Sequence, residues 1–98
     1  APIKGPVLLW ITFVMPRPAS KTKKRGNNPR YWHTARPDLD NLVKAVKDAL
    51  TGVAWRDDSQ VCWMSAQKIV GTDTEQSHVT IGIDSPAIDP PPAEDNPR

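Results

Sequence analysis

An amphipathic helical pattern near the middle of the chain is the feature that most restricts its fold. From Asp38 onward, apolar residues recur at intervals of three and four positions until Gly52 ends the pattern: Leu39, Leu42, Val43, Val46 and Leu50. An isolated helix of this length is marginal in water, so its apolar stripe must pack against another element. The pattern therefore predicts a helix over residues 38–51 with one buried face.

Three segments have the composition of β-strands. Residues 7–15, "VLLWITFVM", are apolar at both alternating sets of positions, which is typical of a strand covered on both faces. Residues 60–70 and 78–83 are predicted as two further strands, most simply a hairpin closed by the turn-rich "GTDTEQS". The order strand, loop, helix, strand, strand predicts an α+β fold: a small mixed or antiparallel sheet with the helix packed on one face.

The length of the chain limits it to one small domain. Ninety-eight residues, 38% of them hydrophobic, can build only a thin core, so we expect a homodimer. The longest apolar run, residues 7–11, is too short to span a membrane, and no charged leader precedes it, so the chain is predicted to be soluble and unexported. The single cysteine, Cys62, excludes an internal disulfide. Cys62 is assigned to packing, together with Trp10, Trp55 and Trp63.

Charge is distributed unevenly along the chain. The formal net charge is +2, but residues 84–98 contain four acidic residues and one arginine, which leaves 12 basic and 7 acidic residues, or +5, on residues 1–83. The proline-rich tail, 84–98, is predicted to be disordered or extended and to carry no chemistry. Residues 17–36, the basic loop, contain no acidic residue and seven basic ones: Arg17, Lys21, Lys23, Lys24, Arg25, Arg30 and Arg36.

The composition of the basic loop predicts a DNA-binding surface. Its lysines and arginines are expected to contact phosphates, and Tyr31 and Trp32 are placed to stack on exposed bases. The alternative is a solvated loop with Trp32 folded onto the core. His33 is expected to orient a neighbour or contact phosphate rather than bind a metal, because no second histidine lies at a ligand spacing.

Two pairs of aspartates stand out in this otherwise basic chain. Asp38 and Asp40 lie at the predicted helix start, and Asp57 and Asp58 precede a strand. Each pair has an ordinary explanation: an N-cap contributes about 1 kcal/mol, the helix dipole favours acids in the first turn, and paired acids in turns are often only solvated. Together, however, they supply the hard oxygen ligands that Mg²⁺ prefers, with positions left for water and phosphate.

Whether Asp58 can meet Asp38 and Asp40 depends on the reach of the chain. A helix from residue 38 to 51 is about 20 Å long, and the next seven residues span at most about 23–25 Å. Asp58 can therefore just return to the helix start within one chain. If that segment is less extended, the helix must be shorter or a partner subunit must supply the acid.

Residues 33–61, "HTARPDLDNLVKAVKDALTGVAWRDDSQV", resemble the signature of the RusA family of Holliday-junction resolvases, which are phage-associated endodeoxyribonucleases. In that signature a PDxDNLxKxxxDAL segment is followed by W-x-DD-x-QV. The resemblance implies metal-binding acids at Asp38, Asp40 and Asp58 and a catalytic lysine at Lys44. It also implies supporting roles for four further residues: Asn41, Asp48, Asp57 and Gln60. Family members usually open with a strand and a helix before the strand at residues 7–15, and this chain begins without them.

The residues and the resemblance together predict an Mg²⁺-dependent nuclease domain over residues 1–83. It would hydrolyse phosphodiesters in four-way DNA junctions, in recombination and repair, in the cytoplasm of a bacterial or phage-infected cell. One or two ions would activate a water, and Lys44 would point at the scissile phosphate. Without the resemblance, Lys44 could simply bridge Asp40 and Asp48. The alternative function is a non-catalytic nucleic-acid-binding module; a sugar-nucleotide transferase would need a longer chain.

Overall fold

The computed structural model describes residues 1–19 and 28–87, and it contains a four-stranded sheet with one helix on one face. The elements are β1 (Val7–Met15), β2 (Tyr31–Trp32), α1 (Leu39–Leu50), β3 (Val61–Val70) and β4 (His78–Asp84). A short 3₁₀ helix, Asp58–Gln60, leads into β3. The predicted α+β class is confirmed, and the predicted strand at residues 7–15 has the observed bounds.

The strand order is β2-β3-β1-β4, so the predicted hairpin between β3 and β4 is wrong. β1 lies between them, parallel to β3 and antiparallel to β4. A strand that is apolar on both faces is best buried at the centre of a sheet, with a neighbour along each edge. Since α1 connects β1 to β3, those two strands can run parallel, which a tight turn would not permit.

The core lies between α1 and one face of the sheet. Alternate residues of β1 point into it, with Val43 of α1 and Trp55 from the following turn: Val7, Leu9, Ile11 and Phe13. Trp55 is fully buried, and its Nε1 donates to Thr51 Oγ1 at 3.1 Å, which satisfies its one polar atom. The predicted packing role of Trp55 is therefore confirmed.

The opposite face of the sheet is not covered by any described element. Trp10 and Trp63 are 41% and 48% exposed, with ring centroids 5.3 Å apart, and Cys62 is exposed as well. The predicted packing role therefore takes the form of a half-exposed Trp10–Trp63 pair outside the core, and it is wrong for the exposed Cys62, because one helix can cover only one face. The helix also leaves part of the sheet face on which it packs uncovered. Three β4 residues on this face are exposed: Val79, Ile81 and Ile83.

Two predictions concern the chain ends and membranes. β4 ends at Asp84, so this residue belongs to the sheet and not to the predicted tail, while residues 88–98 lie outside the described part of the chain. None of the helices within residues 1–19 and 28–87 has the length and apolar character needed to cross a membrane.

Candidate active site

The carboxylates at the start of α1 do not cap the helix. Asp38 occupies the N-cap position, and its backbone carbonyl accepts from the Leu42 amide at 3.2 Å, but its side chain makes no capping hydrogen bond. Asp38 is thus the N-cap residue, but the ordinary explanation of its carboxylate as a capping group is not met. Asp38 and Asp40 are both exposed. Their carboxylates are thus open to a ligand.

Lys44 does not form the bridge to Asp40 and Asp48 that was the alternative to its catalytic role. Within the described ranges, the one ion pair closer than 4.0 Å joins Arg30 to Glu75. Lys44 therefore forms no salt bridge with Asp40 or Asp48. This is expected, because an exposed ion pair gains little energy and must order two flexible side chains. The ammonium of Lys44 is not committed to a neighbouring carboxylate.

A groove of about 470 Å³ runs between α1 and β3. Asp40, Lys44 and Lys47 line it from the helix, Met64 and Ala66 from the strand, and Asp58 from the 3₁₀ helix. We call this the α1–β3 groove. The structure thus brings three of the four predicted catalytic residues to one surface.

The sequence analysis did not predict Lys47 as a site residue. Its spacing from Asp40 and Lys44 could have indicated it, because residues 40, 44 and 47 share one face of a helix. Asp38 instead lines a neighbouring cavity with three other residues: Arg36, Pro37 and Asn41. Asp48 is exposed on α1 and lines neither cavity.

Asp58 lies at the far end of the α1–β3 groove from Asp40. Thr51, the residue that follows α1, donates from its hydroxyl to Asp58 Oδ1 at 2.6 Å. Thr51 lies eleven positions after Asp40, which corresponds to a rise of about 16 Å along the helix axis. Asp58 therefore does not return to the helix start within one chain. Consistently, no three His, Cys, Asp or Glu side chains in residues 1–19 and 28–87 are placed to hold a metal ion together.

Asp57 and Gln60 fix the turn that carries Asp58. Asp57 accepts from the Ser59 amide at 2.8 Å, and this hydrogen bond lowers the pKa of the Asp57 carboxyl. Gln60 Oε1 accepts from the Asp57 amide at 2.8 Å, which completes a reciprocal capping box. Gln60 Nε2 donates to the carbonyls of Ile3 and Gly5, both at 2.8 Å. The turn is thereby attached to the N-terminal segment.

The segment before α1 is tied to β3 by Lys68. Its Nζ donates to the carbonyls of Ala35 at 2.5 Å and Pro37 at 2.7 Å, and its own carbonyl accepts from the His33 amide at 3.2 Å. Burial, and then the charge of Lys68, lower the pKa of His33, so this imidazole is neutral at neutral pH. Its Nδ1 is buried without a hydrogen-bond partner among the described residues.

The two ends of the basic loop that the structure describes are anchored to the segment between β3 and β4. Arg17 donates from Nε to the Gly71 carbonyl at 2.9 Å, and its guanidinium also bonds the carbonyl of Pro29 and lies 5.2 Å from the Tyr31 ring centroid. Arg30 forms two hydrogen bonds with Glu75, at 2.8 and 2.6 Å. These bonds lower the pKa of Glu75 to about 2, so the pair is retained at neutral pH.

These contacts change the expected DNA surface. Arg30 is engaged with an acid, and Tyr31 lies beside Arg17, so neither side chain is simply free to meet DNA. Trp32 is 67% exposed, which excludes the alternative in which it folds onto the core. Arg36 is exposed beside Asp38. Four predicted phosphate contacts lie outside the described residues: Lys21, Lys23, Lys24 and Arg25.

Comparisons with known proteins agree with the resemblance in the sequence. A "Crossover junction endodeoxyribonuclease rusA" of Lactococcus phage r1t is 39% identical over 79 residues, covering 80% of this chain and 53% of the relative. The uncharacterized protein YqaN of Bacillus subtilis is 38% identical over 71 residues, covering 67% and 50%. The chain thus spans about half the length of these curated relatives, and no solved structure matches it significantly.

A family model described as endodeoxyribonuclease RusA matches residues 1–83. This stretch contains α1, both aspartate pairs and the whole α1–β3 groove. The chain therefore belongs to the endodeoxyribonuclease RusA family.

Proposed function

We propose that this chain is the nuclease part of an Mg²⁺-dependent enzyme that cuts four-way DNA junctions in recombination and repair, within the cytoplasm. The observation that carries the proposal is the α1–β3 groove, in which two carboxylates, Asp40 and Asp58, flank two ammonium groups, Lys44 and Lys47. Carboxylates suit a hard divalent cation, and ammonium groups attract the phosphate and offset its developing charge. The printed name of the phage relative supports a crossover junction as substrate.

The residues fit an Mg²⁺ ion through their chemistry. Asp38 and Asp40 present exposed oxygen donors, and Asp38 is not used as a helix cap. These two acids, with Asp58, would hold the metal, which when bound would activate a water for attack on the phosphodiester. Lys44 would direct its ammonium at the scissile phosphate. Asn41, beside Asp38, and the turn residues Asp57 and Gln60 would support this arrangement.

We further propose that each site is built by two subunits. The support is the separation of about 16 Å along α1, which keeps Asp58 away from Asp38 and Asp40 of its own chain. In a two-fold dimer, the partner subunit's Asp58 could complete each site. Two sites would also match the two strands of like polarity that a junction resolvase must cut. The exposed apolar residues of the sheet, among them Trp10 and Trp63, favour association.

DNA affinity is proposed to come from the basic loop and its exposed aromatic residue. Trp32 offers a ring for base stacking on edge strand β2, and the lysines and arginines of the loop would contact phosphates. Arg17 and the Arg30–Glu75 pair would hold the two ends of the loop on the sheet. The loop would therefore contact DNA while both of its ends stay attached to the sheet.

The test of the proposed activity is cleavage of a labelled four-way junction. With Mg²⁺ we expect paired nicks in strands of like polarity, and no product in EDTA, because the carboxylates alone cannot activate water. A linear duplex of the same sequence is the control substrate.

The second candidate is a non-catalytic junction-binding chain, favoured by the lack of a three-acid cluster in the described part of a single chain. Junction binding with no cleavage in either Mg²⁺ or Mn²⁺ would establish that candidate instead. The same reactions therefore decide between the two functions.

Neutralising Lys23, Lys24 and Arg25 to glutamine should weaken binding to junctions and duplexes alike. Each lost phosphate contact should reduce the slope of log affinity against log salt by about 0.9, so by up to about 2.7 for the triple variant. Fluorescence anisotropy between 50 and 200 mM salt measures the slope, with Lys4→Gln as a control for an exposed lysine outside the loop. An unchanged slope would show that the loop is not the binding surface.

A further inference from the structure

Lys68 is a charged residue that points toward the helix side of the sheet. Met64 and Ala66, two and four positions earlier on β3, line the α1–β3 groove, and the alternation of a strand places Lys68 on the same face. It is partly buried, next to the buried Ile69 and Val70. Its ammonium group lies at the surface, so water could solvate it, yet it bonds to the protein instead.

The partners of Lys68 are two carbonyls of the segment that leads into α1. Nζ bonds the Ala35 and Pro37 carbonyls, and Pro37 directly precedes Asp38. The backbone bond from His33 to the Lys68 carbonyl adds a second connection. The residues just before the metal-binding aspartates are thus joined to β3 from three positions: His33, Ala35 and Pro37.

No other described cap fixes the beginning of α1. The Asp38 side chain makes no capping bond, and Pro37 has no backbone N–H to contribute. The helix itself is held by packing on the core from its first residue, Leu39, through Val43 and Val46. Loss of the Lys68 bonds should therefore loosen Pro37 and Asp38, which precede the packed helix, while the helix stays in place.

Resting on the proposed function, we propose that Lys68 is a positioning residue for the metal site. It sets where Asp38 lies relative to β3 and to Asp40 on the packed helix, without touching the metal or the scissile phosphate. Metal ligands must be held within about 0.5 Å of their productive positions, so a cross-link one residue from Asp38 has a direct effect on metal affinity.

The test compares Lys68→Met, which removes the donors but keeps an unbranched side chain, with Lys4→Met as a matched control at an exposed lysine. Lys68→Met should raise the Mg²⁺ concentration for half-maximal junction cleavage about 10-fold, the lower end of the range for losing a group that bonds a metal ligand directly, because Lys68 acts through the backbone next to Asp38. Junction affinity in EDTA should stay within about twofold, since no phosphate contact is lost. Lys68→Arg, which keeps the charge and donors, should recover part of the loss.

A second readout is independent of cleavage. Amide hydrogen exchange of Leu42, whose N–H makes the first helical bond to Asp38, should be faster in Lys68→Met, while exchange of Val46 in mid-helix stays unchanged. If Lys68→Met does not fold, Lys68→Gln carries the same comparison. A parent that never cleaves junctions refutes the proposed function, and Leu42 exchange then still decides the positioning role.

Two results would overturn the inference. One is an unchanged Leu42 exchange rate together with an unchanged Mg²⁺ requirement. The other is weaker junction binding in EDTA with a parental Mg²⁺ requirement, which would make Lys68 a phosphate contact.

Discussion

Asp40→Asn is expected to abolish junction cleavage and to leave junction binding intact or tighter. The substitution keeps the shape of the side chain but removes a negative charge from the α1–β3 groove. On the proposed function, the metal would lose a ligand, while the repulsion between carboxylate and phosphate would be relieved. Cleavage should fall by at least about 10²–10³-fold, the scale for losing one group that stabilises charge in the transition state.

Single-turnover cleavage in Mg²⁺ and gel-shift titration in EDTA measure the two effects of Asp40→Asn separately. Asp84→Asn is the matched control, because Asp84 is an exposed carboxylate at the end of β4, away from the groove. Asp84→Asn should cleave at the parental rate. Equal turnover by Asp40→Asn and the parent would refute the metal site at the start of α1.

Mixing two inactive variants, Asp40→Asn and Asp58→Asn, is expected to restore cleavage. If each site combines Asp40 of one subunit with the partner subunit's Asp58, a mixed dimer contains one doubly altered site and one intact site. Random exchange makes half of the dimers mixed, so about a quarter of the sites should be intact. Asparagine at position 58 can still accept from Thr51 through its amide oxygen, so the turn should keep its place.

The mixing experiment requires that each variant alone be inactive and that subunits exchange before the junction is added. Without exchange, the mixture should stay inactive, which provides the control. Sites built within one chain would give no restoration after exchange, because each site in a mixed dimer would then contain one substitution. Light scattering that gave a monomer mass at micromolar concentration, with cleavage intact, would contradict the dimer itself.

The residues that follow local rules could be predicted well from the sequence. The sequence predicts the helix at Leu39–Leu50 and the strand at Val7–Met15. Both predictions depend only on the spacing of apolar residues that are close in the chain. The dense motif of residues 33–61 likewise led to the family, and the comparisons confirmed it. Local reasoning also placed Asp38 at the N-cap position, as observed, but the capping bond that it allowed for the side chain is not formed.

By itself, the sequence determined the helix, three of the four strands, the acids and the family, whereas the tertiary structure formed β2 within the basic loop and decided which elements meet. β1 pairs with β3 on one edge and β4 on the other, and both partners lie more than fifty residues away in the chain. A local sequence pattern cannot predict which distant strand pairs with which edge. For the same reason, the motif of residues 33–61 could not predict the hydrogen bond from Lys68 to the segment before Asp38. Asp58 went to the C-terminal end of α1 because a chain entering β3, parallel to β1, must begin at the edge of the sheet where α1 ends.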